Sequence, residues 1–528
     1  MARSTKKLIQ LGVALTAMLA GIGSASAQFT SETQTHLDAA TRNALGDPDL
    51  MGHYRYYFCS YTDNPSFVNE VRSWVNIRLP LTQITDDVWF IGSKYVGQYF
   101  LKGSSSFGMI DTVNSSQEAQ QYTLPALQSL GLSPSFPLDG IYLTHGHFDH
   151  DGGAQFLRAL SNPRIYLGSG DATLGAPNGK SYNPILIDST NLNPQPITIG
   201  GRTLTLLPTP GHTPGTTAAI VPVRDNGRAV NLLVIGGSNI PGDIATSRQY
   251  LNSVERIYAF AKTMGAEGGM HPHPFFEGQL DNVLAQGLSK PSQFVVGSDK
   301  LLRGLAVWRE CSTAFATNVD ATAIIPTWRA TKTHFMPGSP SNSQLVAKVF
   351  NGWGPVANQQ VTFSVDGVGN VCSAKTGADG IAECTSRVPV LGRNDRVTAS
   401  FAGALHANSY DLPSEATARV NNFAALDVAI VPPVVDTRAS DGLIMAVLRV
   451  PPGSDVRQLS ISDVRALGAT PVSVTPAIDG SALVAMFRRA DFATLPDGDP
   501  TMVTITGTFT NGGTQDQFVA STTVRLIK

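Results

Sequence analysis

The chain has 528 residues, 42% of them hydrophobic and 15% charged, with 50 Gly, 33 Pro and a formal net charge of −2. That length exceeds what one hydrophobic core usually organises, and the glycine and proline content suits sheets and loops more than helical bundles. A near-balanced, slightly acidic charge excludes the cationic surface that electrostatic nucleic-acid binding requires. At the N-terminus Arg3, Lys6 and Lys7 precede an apolar stretch over 8–22 and then Ala25-Ser26-Ala27. This order predicts a secretory signal peptide at 1–27, cleaved after Ala27, and a periplasmic or secreted mature protein. The apolar stretch is short for a bilayer span and nothing later is long and apolar enough, so no membrane span is expected. Export places the four cysteines where disulfides persist. Cys372 and Cys384, close together in a strand-like segment, predict one bridge; Cys59 and Cys311, on either side of the motif-bearing region, predict a second.

Between 88 and 199 strands alternate with helices. Residues 88–91 and 97–101 read as a hairpin, 107–110 as a strand ending at Asp111, 117–130 as a helix, and 140–144 as a buried strand stopping at His145. A helix over 153–160, strands at 164–167, 203–207, 216–221 and 231–235, and an amphipathic helix over 250–263 complete a sheet-rich α/β unit. Past Thr331 short alternating strands separated by Gly, Asn, Asp and Pro take over, the pattern of β-sandwich modules. Strands at 344–349 and 360–365, then the turn Gly377-Ala378-Asp379-Gly380 before 381–385, resemble bacterial immunoglobulin-like domains of the invasin type. A Pro-rich step at 431–435 belongs to a last unit whose 503–506 and 522–527 are again strand-like. The expected architecture is an α/β domain at 28–330 followed by two all-β sandwich (Ig-like) modules at 335–422 and 424–528.

Chemistry concentrates in Thr144-His145-Gly146-His147-Phe148-Asp149-His150-Asp151-Gly152-Gly153, where a buried strand ends and a helix begins. His145 and His147 alternate on an extended loop and so face one side, while Asp149 and His150 follow where the chain bends and reach a second point. Imidazole and carboxylate are ligands that zinc and similar borderline cations take. Thr209-Pro210-Gly211-His212-Thr213-Pro214-Gly215-Thr216 sets a further histidine on a rigid turn between two strands. Met270-His271-Pro272-His273-Pro274-Phe275-Phe276-Glu277-Gly278 follows the late helix. From spacing alone, either both of its histidines are ligands or one supports the other from behind. Asp111 either holds a ligand or loop, or caps a turn.

H-x-H-x-D-H, then P-G-H-T-P-G, then a late histidine resemble the metallo-β-lactamase superfamily. The resemblance implies an αβ/βα sandwich holding two zinc ions per chain, with His145, His147 and His212 at one and Asp149, His150 and the late histidine at the other. His273 matches that late position, with His271 as the reserve. Most hydrolases of the superfamily carry a bridging Asp after the strand that follows P-G-H-T, whereas this chain has Gly236-Gly237-Ser238-Asn239. That departure resembles the β-lactamase subclass whose second site is Asp-His-His. It implies an exported dizinc hydrolase that opens cyclic amides of a small-molecule substrate with a metal-bound hydroxide, which Asp149 orients. Ser238, Asn239 and Phe275, with Trp74 and Ser93-Lys94-Tyr95-Val96, are the substrate-facing positions the family pattern implies. Two alternatives stay open. One is hydrolysis of another ester, lactone or amide; the other is a surface binding protein whose sandwich modules contact glycan or protein. Tyr54, Tyr56, Tyr57 and Phe58 either line a pocket or pack the N-terminal extension onto the domain.

Overall fold

The computed structural model describes residues 29–527 except 337–338, 341–343, 386–394, 421–423, 426, 437, 439–440, 450–455, 459, 493–500 and 512–513. The expected signal peptide lies outside the described residues. The chain divides between Thr327 and Trp328 into two compact units.

Helix α1 (Ser31–Asn43), a π-helical run Leu50–Phe58, α2 (Cys59–Asp63) and α3 (Pro65–Ser73) open the first unit. One sheet follows in chain order: β1 (Arg78–Thr85), β2 (Val88–Ser93), β3 (Gly97–Lys102), β4 (Phe107–Ile110), β5 (Leu138–Tyr142), β6 (Arg164–Gly168) and β7 (Ile185–Ile187). It is antiparallel as far as β4 and parallel from there. The second sheet contains β8 (Gln195–Ile199), β9 (Arg202–Pro208), β10 (Thr217–Asp225), β11 (Arg228–Val234) and β12 (Ala266–Met270), ordered β12-β11-β10-β9-β8. The helix expected over 117–130 runs as α4 (Ser116–Glu118), a π turn Ala119–Thr123 and α5 (Leu124–Ser129). Next in the chain come α6 (Phe148–Asp151), α7 (Ala154–Ser161), α8 (Ile244–Thr263), α9 (Gln279–Gln286) and α10 (Ser298–Val319).

Side-chain alternation decides what meets between the sheets. Val88 and Phe90 of β2 and Tyr99 and Leu101 of β3 join Leu204, Leu206, Val221 and Leu232 of the second sheet in one core. Their neighbours Trp89, Ile91 and Phe100 face the other way and pack with Leu127 and Leu157 from the helical layer. Strands apolar on both faces need cover on both, which gives the αβ/βα layering. The helix expected from Tyr250 starts six residues earlier, because Asp243 caps it by accepting the Thr246 N–H at 2.9 Å. Helix α10 leaves little trace in the sequence pattern. It is buried on nearly every side, Arg303, Arg309, Glu310, Thr313 and Thr317 included, so no polar stripe alternates with an apolar one. The expected disulfides are both formed, Cys59–Cys311 joining α2 to α10 and Cys372–Cys384 lying in the second unit.

Among its described residues the second unit is all strand apart from short 3-10 turns. Strands Thr331–Phe335, Gln344–Asn351 and Ile381–Thr385 form one sheet, and Gln360–Val365, Gly369–Lys375, Arg396–Phe401 and Ser414–Arg419 another. A single core of Leu345, Val349, Phe363 and Val397 draws on both. A second pair of sheets shares Ile444, Leu448, Phe487 and Ile505. In Gln344–Asn351 every second residue is buried, the two-residue period visible in the sequence.

Candidate metal centre

Loops after β5, β9, β11 and β12 converge and gather two groups of donor atoms. In the first, His145 Nε2 lies 3.1 Å from both His147 Nδ1 and His212 Nε2, and those two are 3.2 Å apart. In the second, His150 Nε2 is 3.2 Å from His273 Nε2, with Asp149 Oδ2 3.6 Å from the former and 3.8 Å from the latter. His271 belongs to neither group; its Nδ1 accepts the His273 backbone N–H at 2.9 Å and so shapes the loop.

Hydrogen bonding on the far side of each ring shows what these groups lack. His212 Nδ1 faces the Asn239 carbonyl at 2.9 Å, His273 Nδ1 the Tyr95 carbonyl at 2.6 Å, and His150 Nδ1 the Asp111 carboxylate at 2.7 Å. A carbonyl or carboxylate only accepts, so each Nδ1 donates and leaves Nε2 facing the cluster, where a ring in its neutral form presents a lone pair. Lone pairs so close repel unless a cation lies between them. Tetrahedral zinc with bonds of about 2.0–2.2 Å spaces its ligand atoms about 3.3–3.6 Å apart, so both groups fit such an ion to within a few tenths of an ångström. Burial and the neighbouring imidazoles hold His145 well below its ordinary value, and burial lowers His212 to about 3 and His273 to about 4. These rings are neutral donors at pH 7. Burial lowers His150 as well, but Asp149 and Asp111 beside it outweigh that and leave it raised. Burial pushes Asp149 up, yet His150 and His273 bring it net below the usual carboxylate value.

Three side chains hold these loops. Asp111, in the left-handed region at φ 59°, accepts the Thr144 N–H at 2.8 Å and hydroxyl at 2.9 Å besides His150. Of its two sequence readings, the structure shows the one that holds both a loop and a ring. Asp171 accepts from Gly146 N at 2.8 Å, Gly215 N at 2.8 Å and Thr213 Oγ1 at 2.7 Å, which ties the H-x-H loop to the P-G-H-T-P-G turn. Sequence reasoning passed over it; the available signal was a Gly-Ser-Gly-Asp turn closing a predicted strand. Lys180 Nζ donates to the Gly146 carbonyl at 2.8 Å and pairs with Asp151 at 2.7 Å.

Gly237 explains the missing acid. A Cβ there would lie 2.4–2.6 Å from Cδ2, Cγ and Cβ of His212, so the imidazole occupies the space a side chain would need. Gly211, at φ 143°, is similarly pressed on helix α8, where a Cβ would come 2.5 Å from Tyr250 Cα. The same helix braces both loops: Ser253 Oγ donates to the Pro210 carbonyl at 2.6 Å and Tyr250 Oη to the Ser238 carbonyl at 2.9 Å.

A cleft of about 690 Å³ opens over the donors, with Ser238, Asn239, Phe275 and Tyr95 in its walls. Ser93 instead turns inward, accepting the Tyr95 and Val96 N–H groups, and Trp74 packs edge-on against Phe275. Lys94 and Val96 do not line the cleft. Tyr61 and Arg72 do, although no sequence motif marks them, and so does Phe148, the residue between His147 and Asp149. Of the aromatic run, Phe58 stacks on Phe276 at 4.5 Å and on Trp308 at 5.0 Å, and Tyr57 meets Phe275 at 5.5 Å. None of Tyr54, Tyr56, Tyr57 and Phe58 lines the cleft, so this run packs the N-terminal helices onto the domain.

Residues 98–222 match the family model of the metallo-beta-lactamase superfamily, and the first unit carries a domain of that superfamily. The fold is similar to that of BJP-1, a subclass B3 metallo-beta-lactamase of Bradyrhizobium japonicum, at 20% identity over 48% of this chain and 100% of that one, with a TM-score of 0.39. It is also similar to a Cronobacter sakazakii metallo-beta-lactamase, at 22% identity over 46% and 94% of the chains and a TM-score of 0.38. A third is GOB-18 from Elizabethkingia meningoseptica, at 18% identity over 44% and 90%, with a TM-score of 0.36.

Proposed function

We propose that this chain is an exported hydrolase that binds two zinc ions and opens cyclic amides of the β-lactam kind. His145, His147 and His212 would hold one ion; Asp149, His150 and His273 the other. The reading is carried by two adjacent three-donor groups with no carboxylate at Gly236 or Gly237, the His212 ring filling the space a side chain at Gly237 would need. Bound zinc supplies Lewis acidity and brings the pKa of water to about 7. Of the two acids in the cleft wall, Glu118 is paired with Arg78. Asp149 is therefore the carboxylate that would orient the attacking water toward the substrate carbonyl, take the proton it releases and pass it to the departing ring nitrogen as the C–N bond opens. In the second unit, two paired-sheet cores support an immunoglobulin-like reading of 335–422 and 424–528.

Metal analysis of the purified protein together with nitrocefin and carbapenem hydrolysis tests this reading. The expected result is two zinc ions per chain and β-lactam turnover that chelation abolishes and His147→Ala removes. A second reading, hydrolysis of another ester, lactone or amide, is favoured by the all-β second unit, which a ring-opening reaction does not need. Zinc-loaded protein that turns over lactones or thioesters but no β-lactam would establish that reading instead. N-terminal sequencing of the exported protein should begin at Gln28.

A further inference from the structure

The cleft wall built by the N-terminal helices carries chemistry that the metal donors do not use. Tyr61, on α2, donates its hydroxyl to Asn239 Oδ1, linking these helices to the loop whose carbonyl receives His212. Arg72, on α3, is exposed in the same cleft, near enough to Tyr95 for its charge to act on that phenol. Tyr95 in turn packs edge-on against His273, with ring centroids 4.9 Å apart, and takes the His273 Nδ1–H on its carbonyl. Arg72 is therefore one side chain away from the donors.

The other cation of the cleft is already satisfied. Arg78 pairs with Glu118 and lies 4.5 Å from the centroid of the Tyr122 ring, and Glu118 also accepts Asn114 Nδ2 at 2.7 Å. Asp149 faces the imidazoles. Among the described residues Arg72 makes no ion pair, and the cleft offers it no unengaged carboxylate. Burial keeps the Tyr61 and Tyr95 phenols above their ordinary pKa, so both stay protonated at neutral pH. A guanidinium flanked by hydroxyls and lacking an acid suits a carboxylate, which it can grip through two parallel N–H donors. Beside it the wall is apolar, with Val68, Val71, Val75 and Phe148, the last 71% exposed.

We propose that Arg72 is the specificity-determining residue of this cleft, binding a carboxylate carried by the substrate close to the bond that is cut. Phe148 and the three valines take an apolar substituent of the same molecule. This inference rests on the hydrolase reading above and narrows its substrates to amphipathic acids, at the expense of the corresponding neutral esters.

Benzylpenicillin and its methyl ester, offered to the zinc-loaded full chain, isolate the carboxylate. The wild type should favour the acid by about tenfold or more in kcat/KM, as expected for hydrogen bonds to a charged group. Arg72→Gln should reduce the acid-over-ester ratio about tenfold, chiefly through KM, at unchanged zinc content, and Arg72→Lys should restore part of it. An acid-over-ester ratio that is the same in Arg72→Gln as in the wild type overturns the proposal. If the wild type cuts neither probe, the β-lactam reading fails, and calorimetric binding of the two probes decides the role of Arg72 alone. Tighter binding of the acid that Arg72→Gln abolishes supports the proposal; equal binding of acid and ester overturns it.

Discussion

At Gly237 the spacing of single atoms sets the character of the candidate metal centre. The His212 ring lies where a Cβ would go, and its Nδ1 is held by the Asn239 carbonyl two residues on, so the ring has no free direction to retreat. Gly237→Ala should therefore displace His212 and weaken zinc binding by the first group at least tenfold, while Asp149, His150 and His273 keep theirs. Competition with a chromophoric chelator reads both affinities, and two unchanged affinities would falsify this account. Asp111 offers a complementary test. As asparagine it would keep one acceptor oxygen but could turn an NH2 group toward His150 Nδ1–H, donor against donor in a buried place. The expected cost is about 10–100-fold in metal affinity, the usual range for the partners behind a ligand. At this scale the sequence is legible where chemistry is local. H-x-H-x-D-H places four donors within six residues, and P-G-H-T-P-G gives its histidine a rigid seat. For Asp171 the turn is local but its role is not, because its partners lie 25, 42 and 44 residues away and belong to two different loops.

Elements show the same division. Strands β2 to β6 and β9 to β11 are legible because each is short, apolar and bounded by turn residues, whereas β1, β7, β8 and β12, half-exposed or glycine-rich, carry no such pattern. Helices α1, α2 and α10 are not, since what stabilises them is long-range. His36 of α1 meets buried Glu310 of α10 at 2.6 Å, and Cys59 at the start of α2 is bonded to Cys311 across 252 residues. That disulfide fastens the short helix carrying Tyr61, hence one wall of the cleft, to the longest helix of the unit. Loop-closure entropy for so long a loop is about 5 kcal/mol. Replacing both cysteines by serine should lower unfolding stability by up to about that amount, less where the unfolded chain keeps structure. Denaturant titration measures it. A loss below about 1 kcal/mol would show that the packing of Phe58 between Phe276 and Trp308 holds the helix unaided.

On the scale of the whole molecule, the two units differ in what they contain. Every donor, every side chain that supports a donor and every residue lining the cleft lies before Thr327. The two cores of the sandwich also take no residue beyond Val295. The second unit has its own cores, built on the strict two-residue alternation that makes it legible as all-β from sequence, and neither donor group draws on it. A chain ending at Thr327 buries the same apolar surface between its sheets and keeps both disulfide partners of the first unit, so it should fold alone and bind zinc with unchanged stoichiometry. Its kcat/KM on a small soluble substrate should stay within about twofold of that of the full chain, since a difference of under 0.5 kcal/mol is what removing a remote region produces. Circular dichroism, metal analysis and steady-state kinetics on the truncated protein check the three parts separately. Intact folding and zinc content with a tenfold fall in kcat/KM would mean that the second unit acts on the reaction itself. Retained kinetics would leave it a task outside the chemical step.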